Sequence, residues 1–346
     1  MSGPIHVLVK IRTVTRMCRH LRFYRVLLLA LCAGCGFNST SETRGKGRLE
    51  KLEILIDWEA TPTYLGVYHA LDSGLFAKAG YDVTIVETWG ANQAANAIAS
   101  GKYELGTCAG GATVLAVDQG KPIVSTAVIS RTITTVIYSP AKNGITKPED
   151  LYGKRLGMYA GSITVNEFEA FAQSHSLDRK KIKETIISGG DIPPLKSGAL
   201  DAVLNYEEQS PTLLSLDETV PSVDGRRINV IRLAEQGVKG YGLNVIANAK
   251  TARENPRRIA DLTRAIVEGY RLAAESPDDA VNRFMKRFPT RDRAYIRAGW
   301  DVMLKHMGDK DTFGKQTVEG WNDTIDLYKS RGLLKRSLTA TDLMKP

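Results

Sequence analysis

Cysteine is scarce in this chain of 346 residues: Cys18, Cys32 and Cys35 lie near the start, and Cys108 stands alone downstream. A single thiol excludes an internal disulfide there, and it excludes the paired-cysteine motifs of redox and zinc sites. The five histidines, His6, His20, His69, His175 and His306, are scattered without metal-ligand spacing. Neither a Gly-x-Ser-x-Gly elbow nor a phosphate-binding glycine loop is present. No catalytic apparatus, cofactor or metal is therefore expected. A one-signed basic surface is missing as well. The formal charge is +9, but residues 1–50 hold nine Lys or Arg against Glu42 and Glu50, which leaves +2 for residues 51–346. A nearly neutral body without clustered basic and aromatic residues is not a nucleic-acid binder.

The early basic excess has a targeting explanation. Arg16, Arg19, Arg22 and Arg25 precede an apolar run from Val26 to Ala33, too short to span a bilayer as a mature helix, and Ala33-Gly34 places small residues before Cys35. Residues 1–34 read as a signal peptide, with Met17 as the expected true start. The small pair before Cys35 resembles a bacterial lipobox, which would make Cys35 the lipidated first residue, although Cys32 stands where Leu is usual. Residues 35–50, rich in Ser, Thr, Gly and charge, read as a flexible tether. An exported protein follows, in the periplasm or at the cell surface, held to the membrane through lipid at Cys35.

Beyond the tether, Leu52 to Asp57 reads as a strand, and Tyr64, Val67, Tyr68 and Leu71 share one side of a helix that Gly74 can end in the left-handed conformation. Leu75 and Phe76 fill a corner, and Tyr81 to Val86 alternates and is rich in β-branched residues, a strand returning beside the first. The unit is β-α-β and predicts a parallel sheet. Strand and helix patterns go on alternating: Asn92 to Ser100 helical, Tyr103 to Gly106 a strand, Ala112 to Gln119 helical, Ile123 to Ile129 a strand. The fold class is α/β, doubly wound.

The order of a strand, a Trp, a helix ending in Gly74-Leu75-Phe76 and a Gly-aromatic-Asp-Val strand resembles the start of a type II solute-binding protein. Further matches follow in order: residues 99–106, 120–124, 147–157 and 195–202, which include Lys147-Pro148-Glu149-Asp150-Leu151 and Leu195-Lys196-Ser197-Gly198. The nearest branch binds thiamine precursors, taurine, alkylsulfonates or nitrate for ABC importers. The resemblance implies a two-lobed α/β periplasmic binding protein fold, each lobe a doubly wound sheet, joined by a hinge of two crossing strands. It implies a small-molecule ligand, a permease partner and a monomer.

On that plan the first lobe takes residues 51–138 and 246–346, and the second takes 139–245, with Ser139-Pro140 marking the first crossing. Pro256 to Leu272, Pro277 to Phe288 and Arg291 to Met307 are three helices with Pro at or just before their starts. Trp300 and Trp321, in this helical part, are expected in the core.

Ligands of open α/β sheets meet the carboxyl ends of strands. Three loops qualify: residues 57–62 with Trp58; residues 107–112 with Cys108, Ala109 and Gly110; and residues 160–164 with Gly161, Ser162 and Thr164. A fourth candidate is Asn205-Tyr206-Glu207-Glu208, and Tyr241 lies near the proposed hinge; Trp89 and Asn92 are weaker candidates. In the thiamine-precursor branch an aromatic-and-acid group holds an aminopyrimidine. The resemblance implies that role for Tyr206 with Glu207 or Glu208, and for Trp58 from the other lobe. Each residue also has a plainer reading: Cys108 as a small buried side chain, Gly110 as close packing, either glutamate as a first-turn acid. The alternative ligands are taurine, alkylsulfonates or nitrate. A further alternative is an enzyme like the eukaryotic pyrimidine synthases of this fold, whose cysteine-rich iron-binding motif this chain lacks.

Overall fold

The computed structural model describes residues 48–188, 190–209 and 227–344. The expected signal peptide, Met17, Cys35 and most of the tether lie outside the described residues.

The chain opens with β1 (Glu50–Ile56) and a 3-10 turn (Pro62–Tyr64), followed by α1 (Leu65–Asp72), α2 (Leu75–Lys78) and β2 (Tyr81–Glu87). β2 lies parallel to β1 in continuous register from Glu50 opposite Tyr81 to Ile56 opposite Glu87. The β-α-β reading holds, and Gly74 adopts φ 69°, the left-handed conformation that a side chain would resist. Next come α3 (Ala91–Ala99), β3 (Leu105–Ala109), α4 (Gly110–Asp118), β4 (Ile123–Val128) and β5 (Thr135–Pro140). The second half begins with β6 (Arg155–Tyr159), α5 (Ile163–Ser174), β7 (Lys183–Ile187), α6 (Ile192–Lys196), β8 (Ala202–Tyr206) and β9 (Ile228–Arg232). It closes with β10 (Leu243–Asn248), α7 (Ala249–Glu254), α8 (Pro256–Glu275), α9 (Pro277–Arg287), α10 (Arg293–His306), α11 (Val318–Lys329) and α12 (Ala340–Leu343).

Two five-stranded sheets result, ordered β2-β1-β3-β10-β4 and β7-β6-β8-β5-β9. In each, parallel strands are joined by one strand running the other way: β10 between β3 and β4, β5 between β8 and β9. The chain therefore passes between sheets twice, after β4 and after β9.

These passages correct the expected boundaries. β5 is wholly buried in the second sheet, so the first crossing comes before Thr135 rather than at Ser139-Pro140. Pro140 does not break the strand, because it sits at the strand's last position, where a missing N–H costs least. The return crossing ends at Leu243, ahead of residue 246. The expected loop at residues 107–112 does not exist: β3 runs into α4 without a gap. Gly110 allows this. Its N–H donates to the Gly242 carbonyl at 2.6 Å, and a Cβ there would fall onto the Tyr241 carbonyl oxygen.

Trp300 and Trp321 are fully buried, as their place in the helical part suggested. Trp300 belongs to the core beneath α8, α9 and α10 on the first sheet. Trp321 lies in α11, which packs against both α4 and α5, so this helix touches helices that belong to both halves of the fold.

Candidate functional site

The seam between the sheets begins at the carboxyl end of β1. Asp57 follows the strand, and its Oδ1 accepts hydrogen bonds from the Thr107 hydroxyl at 2.6 Å and the Tyr64 hydroxyl at 3.1 Å. The segment behind it is pinned by Glu87, whose Oε1 accepts from the Ala60 N–H and the Tyr68 hydroxyl. Trp58 is held in this pinned loop, its ring edge-on to Trp89 at 5.7 Å between centroids. Trp89 itself is 70% exposed. Asp57 is buried with no cationic partner among the described residues, and burial pushes its carboxyl above the usual range against the lowering effect of the Thr107 and Tyr64 donors.

The opposite wall comes from the second sheet. β8 ends at Tyr206, whose phenol faces Glu167, Asp57, Glu208 and Tyr328; burial first, and then those carboxylates, push its hydroxyl well up. Glu208 reaches across the seam, where its Oε1 accepts from the Thr63 hydroxyl at 3.1 Å. The Thr63 carbonyl is in turn bonded by the buried Tyr270 hydroxyl at 2.7 Å. Glu208 Oε2 is buried with no acceptable hydrogen-bond geometry to any described residue, although the Thr134 hydroxyl stands near. Burial raises the Glu208 carboxyl. The fit around it is close, since a Cβ on Gly299 would meet the Glu208 carbonyl oxygen and Pro62.

Glu167, on α5, completes the wall. It accepts from the Thr135 hydroxyl, and burial, together with the neighbouring Glu208 charge, pushes its carboxyl up to about 7. Across from it stands Tyr328 of α11, fully buried, its hydroxyl against Gly111 and without a partner among the described residues. At the rim, Asn92 Nδ2 donates to the Gly161 carbonyl at 3.4 Å. Three buried carboxylates from two sheets thus meet tyrosine hydroxyls, and no ion pair to any of the three is found among the described residues. Their side chains are not drawn together in metal-holding geometry.

The structure sorts the candidate residues. Trp58, Tyr206, Glu208 and Gly161 lie at the seam. Glu207 does not: it forms a bidentate pair with Arg232 of β9, at 2.6 and 2.9 Å, and its Oε2 is 3.4 Å from His306 Nε2. Burial raises its carboxyl, but the bonds from His306 and Arg232 outweigh that and hold it at about 2. Asn205 turns away to donate to Asp191 at 2.7 Å. Ser162 caps α5 by accepting from the Thr164 N–H, and Thr164 is buried beside it. Cys108 is fully buried in β3 and donates to the Ala91 carbonyl, its thiol pushed up by burial. Ala109 and Gly110 are strand end and helix start, covered by residues 241 and 242. Tyr241 is in the core, edge-on to Trp321 and bonded to Thr317 at 2.9 Å.

Sequence reasoning missed Glu167, Thr63, Thr135 and Tyr328. A signal for Glu167 was present: it lies four residues after Ile163 and four before Phe171, an acid on the apolar stripe of α5. Tyr328 had none, because with Trp321 and Ile325 it reads as an ordinary buried stripe.

The chain is 26% identical over 326 residues to a formylaminopyrimidine-binding protein of Halalkalibacterium halodurans, a match covering 91% of this chain and 96% of the relative. It is 25% identical over 293 residues to a 4-amino-5-hydroxymethyl-2-methylpyrimidine phosphate synthase of Uromyces fabae, covering 82% and 84%. The solved structure of the periplasmic aliphatic sulphonate binding protein of Escherichia coli superposes with a TM-score of 0.65 at 17% identity, covering 86% of this chain and 92% of that one. That likeness establishes the two-lobed periplasmic binding protein fold. A family model described as NMT1/THI5 like matches residues 61–280, and the chain belongs to that family.

Proposed function

We propose that this protein is the extracytoplasmic solute-binding component of an ABC importer and captures a small, flat nitrogen heteroaromatic of the thiamine-pyrimidine-precursor kind between its lobes. The observation that carries this reading is the set of buried carboxylates Asp57, Glu167 and Glu208, beside Trp58 and Tyr206, with no cationic side chain paired to them among the described residues. Carboxylates accept from ring and exocyclic N–H groups and repel sulfonate, nitrate or phosphate. The aromatic faces suit a planar ring. Similarity to the formylaminopyrimidine-binding relative supports the same ligand class. The partners proposed are permease subunits and the membrane, reached through lipid on Cys35.

The test is thermal melting of the mature protein with a panel of solutes. Aminopyrimidines raise the melting temperature, because a ligand bound by the folded state alone stabilises it. Trp58→Ala and Glu208→Ala remove that effect while the unliganded melting transition persists. Stabilisation by taurine, alkylsulfonates or nitrate, with none by aminopyrimidines, sinks the reading. The synthase names among the relatives are tested in the same samples, where chemical conversion of a bound pyrimidine would replace the carrier by an enzyme.

A further inference from the structure

The carboxylates of the seam raise a question of charge. Glu167 and Glu208 come from different elements of the second sheet's lobe, are both almost wholly buried, and feel each other electrostatically. Two unscreened carboxylates that interact in low dielectric do not both ionise at neutral pH, so the pair retains a proton. Beside them are two buried polar atoms without a well-formed hydrogen bond among the described residues, Glu208 Oε2, near which the Thr134 hydroxyl stands, and the Tyr328 hydroxyl. An aminopyrimidine presents a ring nitrogen that accepts and an exocyclic amine that donates, side by side. A carboxylic acid meets that edge with its O–H and its carbonyl, whereas a carboxylate can satisfy only the amine.

We propose that the seam binds its aminopyrimidine together with one proton, held by the Glu167–Glu208 pair and presented to the ring nitrogen through Glu208. The inference rests on the ligand class proposed above. Where the pair is already protonated the ligand binds without proton exchange; where it is ionised, one proton passes from the buffer to a carboxyl oxygen on binding and is shared with the ring nitrogen, and no other covalent bond forms or breaks.

The surroundings favour this assignment. Facing Glu167 are Thr135 of β5, Tyr206 of β8, Glu208, and Tyr328 of α11, beyond which lies Arg331. Facing Glu208 are Thr63 of the 3-10 turn, Thr134, Tyr270 of α8, and Tyr295 and His306 of α10. Asp57, across the seam, couples to Tyr206 and Tyr64. The His306 ring near Glu208 is hydrogen-bonded to the Thr132 hydroxyl at 2.8 Å and lies 3.4 Å from Glu207 Oε2. Burial and the neighbouring Glu208 charge hold the Glu167 carboxyl at about 7, which brings the effect into a measurable pH range.

The experiment is titration calorimetry of the wild-type protein with 4-amino-5-hydroxymethyl-2-methylpyrimidine at pH 6.5 and pH 8.5, in buffers of differing ionisation enthalpy. Affinity is expected to fall about tenfold or more between the two pH values, with uptake of close to one proton per ligand at the higher pH. In Glu167→Gln one of the two carboxyls that hold the proton is gone, so the fall begins at lower pH. The amide oxygen of the new side chain can still accept from Thr135, which preserves the fold. Equal affinity at both pH values with no buffer-dependent heat overturns proton-linked capture and leaves the ligand assignment standing. A pH profile in Glu167→Gln that overlays the wild type overturns the role of the pair. Absence of binding at either pH overturns both the inference and the ligand class.

Discussion

Replacing Glu167 by Gln should make the unliganded protein more stable at neutral pH, and the gain should vanish in acid. The native state holds the Glu167 carboxyl at about 7 in place of the usual 4.5, because burial and the Glu208 charge disfavour ionisation. At about 1.4 kcal/mol for each tenfold change in proton affinity, ionising this group in the folded protein costs about 3 kcal/mol more than in the unfolded chain. The sign follows from linkage. Between pH 4.5 and about 7 the folded state binds more protons than the unfolded one, so stability falls as pH rises. Below 4.5 the carboxyl is protonated in both states and the penalty is absent. The variant carries no such charge and keeps an acceptor for Thr135, so its advantage should grow from near zero at pH 4.5 to about 3 kcal/mol above pH 7. For a chain of this size that corresponds to roughly 5 °C in melting temperature. Melting curves of both proteins, collected from pH 4.5 to 8.5 without ligand, provide the measurement. A difference that stays constant across this range, or a wild type that gains on the variant as pH rises, refutes the reasoning.

Glu207→Gln should act in the opposite sense: the wild-type carboxyl, held at about 2 by His306 and Arg232, stabilises the fold above pH 4.5 and loses that contribution as pH falls toward 2, so the variant's deficit at pH 7 should close in acid urea titrations. Any loss of ligand affinity in Glu207→Gln should be small beside that of Glu208→Ala, and an equal loss would place Glu207 against the ligand. Gly110→Ala should destabilise by more than about 2 kcal/mol in urea unfolding, because the added methyl meets a backbone carbonyl that cannot swing aside; wild-type stability would mean that residues 241 and 242 yield easily. Cys35→Ala should release the protein from membranes in a cell fractionation, and unchanged membrane association would remove the lipid anchor.

The fold was legible wherever the pattern was local. Tyr81 to Glu87 alternates as a paired strand must, and Gly74 ends its helix as its missing Cβ allows. Placement of β5 was not legible, because a fully buried strand carries no alternation and its sheet is chosen by partners more than sixty residues away, at Ala202–Tyr206 and Ile228–Arg232. The same limit applies to the site. Trp58 and Tyr206 could be found at strand ends, and the choice between Glu207 and Glu208 could not, since it depends on Arg232 and His306 arriving from distant elements. Cys108 and Gly110 read as loop residues in the sequence, but Cys108 is a buried strand residue and Gly110 lets the strand turn into a helix under a crossing segment.

The tryptophan corner has an optical consequence. Of the four indoles, Trp300 and Trp321 are sealed in the core, while Trp58 and Trp89 stand edge to face at the seam, one part-buried and the other open to solvent. Quenchers in solution reach Trp89 and leave the core pair untouched, so the emission of the unlabelled protein divides into a steady background and a component that senses the seam. Occupation of the seam can therefore be followed by the protein's own fluorescence, and Trp89→Phe would separate the signal of Trp58 from that of its neighbour.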